Sequence, residues 1–238
     1  MPISRFSICA SLVSAIAVTA LTGFVSPAMA GCSDGPGQGV DWSDCRKRNL
    51  ILKGTTLTGA DLRGTDFTST DLRDSKLNDA DMTKANLLKA HLDGSTLVGA
   101  NLTKVVGFRS QFHNTDLTNA NFEKSELQRS DFSGSTLHDT NFAKAELGRS
   151  TFSGANLSNV NFDFAILARA DFRGADLTGP INFTSAYLFL TRFEGTDLSG
   201  TTGLIQTQLE LSCGDAETVL PAGLNPPESW PCDDDTVN

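Results

Sequence analysis

From Leu52 to Leu177 every fifth residue is Leu, Phe or Met, with Gly107 the one exception. From Thr55 onward the residue two positions before each of these centres is Ala, Ser, Thr or Val. An amphipathic helix repeats its apolar residues near every 3.6 positions and a half-buried strand every second, so a spacing of five is neither. Self-similarity at a short fixed period predicts a solenoid, in which each unit buries its apolar residues against its neighbours. The unit reads small residue, Asp or Asn, Leu or Phe, polar, then polar or Gly. Residues 60–64 (Ala60, Asp61, Leu62, Arg63, Gly64) and 155–159 (Ala155, Asn156, Leu157, Ser158, Asn159) show it clearly.

This unit resembles the A(D/N)LXX consensus of the pentapeptide-repeat family over residues 50 to about 202. The resemblance implies an all-β fold: a right-handed quadrilateral parallel β-helix, with four pentapeptides per square coil and the centre and small residues turned inward. A second period of 20 in the sequence supports four units per coil. One column reads Lys84, Lys104, Lys124, Lys144, and the next Lys89, Arg109, Arg129, Arg149, Arg169. Two further columns hold Gly, Asn and Asp: Gly54, Asp74, Gly94, Asn114, Gly134, and Gly59, Asp79, Gly99, Asn119, Asp139. These residues tolerate the positive φ that a type II turn requires at its third position. Tight turns are therefore expected on two adjacent faces, and a different turn on the two faces that carry Lys and Arg.

Leu occupies one whole core column from Leu57 to Leu177. From Phe112 onward Phe alternates with Leu at successive centres, which predicts rings stacked coil on coil on opposite faces. After Leu177 the phase slips by one residue near Pro180, and the centres become Phe183, Leu188, Phe193 and Leu198. The units amount to about 7–8 coils and, at ~4.8 Å per coil, a rod ~36 Å long. Val106 or Phe108 is expected to fill the place left by Gly107.

The flanks read as caps. Residues 31–49 include Trp42 and form an N-terminal cap. Residues 203–238 carry Leu204, Ile205, Leu209 and Leu211, expected on one short helix, followed by a looped tail with Trp230. Residues 1–30 have Arg5, an apolar stretch from Ile8 to Val25, and small residues at Ala28 and Ala30, the pattern of a secretory signal peptide. An uncleaved anchor and a lipoprotein signal acylated at Cys32 are the competing readings. Cys9 would leave with the signal, so Cys32, Cys45, Cys213 and Cys232 remain, an even number that in an exported chain reads as disulfides. Three connectivities are open. The local one, Cys32 with Cys45 and Cys213 with Cys232, closes the shortest loops, each stabilising by about 3 kcal/mol. A periplasmic or secreted bacterial protein without a membrane span after cleavage is expected.

Charge narrows the functional reading. The 238-residue chain carries −9, yet residues 50–202 hold 15 basic and 18 acidic residues, so the excess acidity lies in the tail around Asp233, Asp234 and Asp235. Some family members confer quinolone resistance by imitating DNA and binding gyrase. Export and the two basic columns oppose that reading here, and it is kept as the alternative. The nine residues of the basic columns form one candidate binding surface, able to meet a linear polyanion or a phosphate-bearing surface. Phe164, Ile166, Tyr187, Phe189 and Leu190 form a second, apolar candidate. The C-terminal helix and Trp230 are expected to fold over it, with a homodimer contact the next possibility. The Asp and Asn column from Asp61 to Asn161 is expected to hydrogen-bond along the stack rather than bind metal. His91, His113 and His138 fall in separate units, and no nucleophile–base pair, phosphate loop or zinc spacing occurs. A non-enzymatic interaction scaffold follows, with an envelope protein or polymer as partner, no nucleic acid and no cofactor.

Overall fold

The computed structural model describes residues 31–232. The signal-peptide reading of residues 1–30 and the acidic run at Asp233 lie outside the described residues. Parallel bridges tie each residue before a centre to its counterpart 20 positions on, from Asp41↔Asp61 through Asn141↔Asn161. The chain thus winds as a parallel β-helix with four pentapeptides per turn. Most rungs are single bridges. Longer strands occur at β1 Thr136–His138, β2 Asn156–Ser158 and β3 Asp176–Leu177, paired in that order, and at β4 Ile181–Asn182 with β5 Thr201–Thr202.

Each pentapeptide satisfies its own backbone, which explains the residue types of the repeat. In the unit of Leu62, the amides of Leu62 and Gly64 donate to the Asp81 and Thr83 carbonyls of the next coil, at 2.8 and 3.0 Å. The Asp61 amide donates to Val40 of the previous coil (2.9 Å), and Thr65 closes the corner by donating to the Leu62 carbonyl (3.1 Å). The remaining amide, one residue past the centre, faces the Asp or Asn side chain. The Thr83 amide donates to Asp81 Oδ1 at 3.0 Å, and that of Ala143 to Asn141 Oδ1 at 3.0 Å. Several buried Ser and Thr at the small position donate to the carbonyl of a centre in the previous coil, as Ser95 does to Leu72 (2.8 Å) and Thr140 to Leu117 (3.0 Å), whereas Ser135 donates within its own unit to Phe132 (2.6 Å). The outer Asn column is a hydrogen-bonded stack: Asn141 Nδ2 donates to Asn121 Oδ1 at 3.0 Å, Asn161 to Asn141 at 3.1 Å and Asn182 to Asn161 at 3.0 Å.

The core is a column of centres, nearly all fully buried. From Phe112 to Phe193 the rings form two columns on opposite faces, stacked at 4.7–5.4 Å within a column. They meet edge to face across the interior at 5.5–6.1 Å. Beyond Pro180 the bridges step by 21, as in Asn161↔Asn182 and Asp171↔Arg192, and the shifted centres Phe183, Leu188, Phe193 and Leu198 are fully buried.

Three expectations are corrected. The Lys and Arg columns do not turn differently. All nine, from Lys84 at φ 60° to Arg169 at φ 60°, have the left-handed conformation of the Gly corners, and the Ala85 and Ala90 amides close the same corner bond onto Met82 and Leu87. Composition concealed this because a polar side chain pointing to solvent can occupy the left-handed region at a cost of about 1 kcal/mol. Neither Val106 nor Phe108 fills the place of Gly107. Val106 is 38% exposed, and a Cβ on Gly107 would meet Leu127 Cδ2 at 2.7 Å and Ser110 Oγ at 2.9 Å, so neighbouring side chains have closed in. Within residues 31–49, Asp41 and Arg46 bridge to the next coil, and Trp42 and Lys47 occupy centre positions and are buried. The C-terminal tail, as far as the described residues run, leaves most of the apolar candidate uncovered, as described below.

Both ends are tied. Cys32 is bonded to Cys45 and Cys213 to Cys232, with Cα separations of 5.3 and 5.4 Å. At the first coil Lys47 lies 3.7 Å above the centroid of Trp42, and its ammonium donates to the Cys32 carbonyl at 2.8 Å. Burial lowers its pKa from the ordinary lysine value, against the opposing field of Asp34. At the other end the helix is one turn, α1 Gln206–Leu209, shorter than the expected apolar face. Leu209 is buried, and Gln208 Nε2 donates to the Phe183 and Ala186 carbonyls at 2.9 and 2.8 Å. Residues beyond α1 continue the ladder through Arg192↔Cys213 and Asp197↔Val219.

Candidate functional site

Corner columns follow one another in chain order, and this fixes which face each pair encloses. The Lys84 column and the Lys89 column are adjacent corners, so both border the same face. The stacked windows are 84–89, 104–109, 124–129, 144–149, 164–169 and 185–190. Each Lys and Arg corner amide donates to the next coil, as Lys104 does to Glu123 (2.9 Å), Lys124 to Ala143 (3.0 Å), Arg109 to Gln128 (3.1 Å) and Arg149 to Ala168 (2.9 Å). Successive corner residues are therefore one strand spacing apart, ~4.8 Å. Lys84, Lys89, Lys104, Arg109, Lys124, Arg129, Lys144 and Arg149 are exposed and Arg169 is half-buried.

Inside these rails the outward column runs Asn86, Val106, Glu126, Glu146, Ile166, Tyr187, held by parallel bridges. The six windows hold nine basic residues and two acidic ones, Glu126 and Glu146. Glu146 accepts a hydrogen bond from Gln128 within the face. Lys124 pairs with Glu123, just outside the rail, at 2.8 Å, and this contact lowers the Glu123 carboxyl below its ordinary value. Phe108 lies flat enough against the rails that the guanidinium carbons of Arg109 and Arg129 stand 5.3 and 6.0 Å from its ring centre.

Towards the C-terminal end both rails turn apolar. The Lys84 column continues into Phe164 and the Lys89 column into Leu190, at φ 55° and 54°. Phe164, Ile166, Tyr187 and Phe189 are 56%, 44%, 48% and 39% exposed, and Tyr187 and Phe189 stack at 6.2 Å. Among the described residues the expected cover is absent over Phe164, Ile166 and Tyr187, because the tail to Cys232 closes the end of the rod rather than its side. Trp230 Nε1 donates to the Ser212 carbonyl at 2.8 Å, and its ring lies so close to Gly214 that a Cβ there would meet ring atoms at 2.3–2.5 Å. Among the described residues the pad meets the tail at its lower edge, where Phe189 and Leu190 line a cleft of about 320 Å³ with Leu211 and Pro231.

The basic columns and the apolar cluster, expected as two candidates, therefore share one face. The aromatic contribution of Phe108 escaped the sequence reading. Lys47 escaped it too, although it falls five residues before Leu52 in phase with the centres. His91 faces Asp93 at 3.7 Å and His113 faces Ser133 at 3.0 Å, in different coils. Among the described residues no group of three or more His, Cys, Asp or Glu is placed to hold a metal ion, and no helix is long and apolar enough to cross a membrane.

Comparison with known proteins places this architecture. No curated protein matches the sequence. Similar solved structures include HetL, a pentapeptide repeat protein involved in heterocyst differentiation regulation from the cyanobacterium Nostoc. It is 23% identical, with 76% of this chain and 90% of that chain covered and a TM-score of 0.35. QnrB1, a plasmid-mediated fluoroquinolone resistance protein, is 17% identical over 80% of this chain and 92% of its own, with a TM-score of 0.46. A pentapeptide repeat protein of the Arabidopsis thaliana thylakoid lumen is 26% identical over 48% of this chain and 66% of its own, with a TM-score of 0.24. The family sequence model described as "Pentapeptide repeats (8 copies)" matches residues 51–88 and 85–123, and the one described as "Pentapeptide repeat region" matches residues 108–179. With the five-residue period and the square parallel coil, these matches, which together run from 51 to 179, show that the chain belongs to the pentapeptide-repeat family.

Proposed function

We propose that the protein is a non-enzymatic scaffold exported to the bacterial periplasm or beyond, which binds an envelope macromolecule through the faces of a right-handed solenoid of seven to eight coils. The observation that carries this reading is the pair of disulfides, one at each end of the bridge ladder. Disulfides persist in oxidising compartments and are rare where thiols are kept reduced. In this reading residues 1–30 are a removed signal, residues 31–49 and 203–238 close the ends, and residues 50–202 present the binding faces. A face bordered by nine Lys and Arg residues does not suit imitation of DNA, so the gyrase-directed alternative is not adopted. The reading requires no cofactor and no nucleic acid.

Cell fractionation with intact-mass measurement tests it. The expected product is a periplasmic or secreted chain beginning at Gly31 and lacking free thiols. A cytoplasmic chain with Cys32, Cys45, Cys213 and Cys232 all reactive overturns the reading, and an acylated Cys32 replaces the first disulfide with a lipid anchor.

A further inference from the structure

We propose that the face between the Lys84 and Lys89 columns docks on an anionic phospholipid surface. This rests on the exported scaffold reading and names its partner.

Three observations meet on that face. The first is charge: nine basic and two acidic residues in six stacked windows, in a chain whose total is −9. Such segregation gives one side of the molecule a positive field that a net count conceals. The second is the apolar pad at the end of the same rails, where Phe164, Ile166 and Tyr187 are 44–56% exposed. The third is backbone cost. Every rail residue sits at positive φ, where Gly is the easy choice and where Phe164 and Leu190 are especially unfavourable. Nothing in the coil requires these side chains at those corners, because each corner bond is made by the backbone.

An anionic bilayer answers all of these at once. Its headgroups meet the rails, and its hydrocarbon lies immediately beneath to receive Phe164, Ile166 and Tyr187. The Lys and Arg stems extend across the interface and add apolar contact of their own. A linear polyanion would satisfy the rails and leave the pad exposed to water. The face is rigid, since all nine Lys and Arg corner amides are bonded to the next coil, so docking would seat the rails along the surface and press the pad end deepest.

The test is flotation of the purified protein, both disulfides formed, with vesicles of phosphatidylcholine alone or mixed with phosphatidylglycerol. Binding is expected to the mixed vesicles and not the neutral ones, falling at least about ten-fold as salt shortens the Debye length. Reversing Lys104, Lys124, Arg129 and Arg149 together to Glu should abolish it. Phe164→Ser with Tyr187→Ser should weaken it by about ten-fold or more, the loss expected for apolar groups withdrawn from the acyl boundary. Should the Glu set fail to fold by circular dichroism, the same four positions changed to Gln give the same reading with a smaller loss. No binding to the mixed vesicles, equal binding to both kinds, or undiminished binding by a folded charge variant overturns the proposal. Retention of soluble polyphosphate without vesicle binding overturns it in favour of a linear polymer. Because the protein is purified, export can hold while docking fails, and fractionation reports separately on export.

Discussion

Opposite faces of the rod share one backbone and differ in almost everything that points outward. The face of windows 84–89 to 185–190 is bordered by Lys and Arg and ends in an aromatic pad. The face two corners away, windows 74–79 to 174–179, is bordered by Gly, Asn and Asp, holds β1 to β3, and carries Asp74, Asp79, Asp116, Asp139 and Asp176 against Lys76 alone. Both have mainly Leu centres, and corners on both adopt positive φ. The difference is therefore not a requirement of folding. Gly and Asn are what the corner conformation favours, and the basic face departs from them at a backbone cost of about 1 kcal/mol per position. A side chain retained against its backbone preference, at one spacing and on one side, is the structural reason for assigning a role to that side.

The largest expected effects test whether the two faces are equal inside. Leu147 lies behind the basic face and Leu157 behind the opposite one, both fully buried. Changing either to Ala should cost about 2–5 kcal/mol, and the two losses, read from urea unfolding, should agree within about 1 kcal/mol. A much smaller loss at Leu147 would mean the basic face is a loosely packed side of the coil. Next comes transplanting the neutral corners. Lys104→Gly, Lys124→Asn, Arg129→Asn and Arg149→Gly together should lower affinity for anionic vesicles about 100-fold or more, at about 1 kcal/mol per charge near such a surface. The melting temperature of that variant should not fall. A fall in both would make the rails structural.

Smaller still is the single exchange. Lys124→Gly should raise stability by about 1 kcal/mol in differential scanning calorimetry, and Gly154→Lys on the opposite side should lower it by a similar amount. Opposite signs are the point; if both destabilise, the corner conformation is not what limits residue choice. The smallest effect is acid sensitivity on the flank between the faces. The hydrogen bond from the Arg73 guanidinium holds the Asp71 carboxyl down at about 2. A depressed carboxyl contributes stability above its unfolded value near 3.9, and that contribution is lost as pH falls towards about 2. Arg73→Gln should therefore lower stability slightly at pH 6, since the pair is exposed, and leave it unchanged at pH 2. A cost that persists at pH 2 would show that Arg73 acts through packing.

Much of this fold was legible because each position of the repeat has one physical task. A centre must be apolar, a small residue must fit the corner, and Asp or Asn must accept the amide that the coil leaves over. The corner conformation was less legible. Gly and Asn announce positive φ, whereas Lys84 or Arg129 can adopt it without any sign in its residue type. The first coil was hidden for a related reason, since Lys47 is a polar residue at a centre and becomes a core residue only through Trp42 and the Cys32 carbonyl. That the basic columns share a face with Phe164, Ile166 and Tyr187 follows from the spacing, which makes the two columns neighbouring corners. That this part of the face stays exposed does not, because it depends on the tail turning over the end of the rod.

Lysine footprinting tests the central claim most directly. The unaltered protein would be acylated with a small amine-reactive ester, free and bound to phosphatidylcholine–phosphatidylglycerol vesicles, and each lysine quantified by mass spectrometry. Lys84, Lys89, Lys104, Lys124 and Lys144 should be protected by the vesicles, while Lys53 and Lys76, on other sides of the rod, keep their reactivity. Equal protection of all seven, or protection of Lys53 and Lys76 in preference to the rails, would contradict the assignment of the basic face.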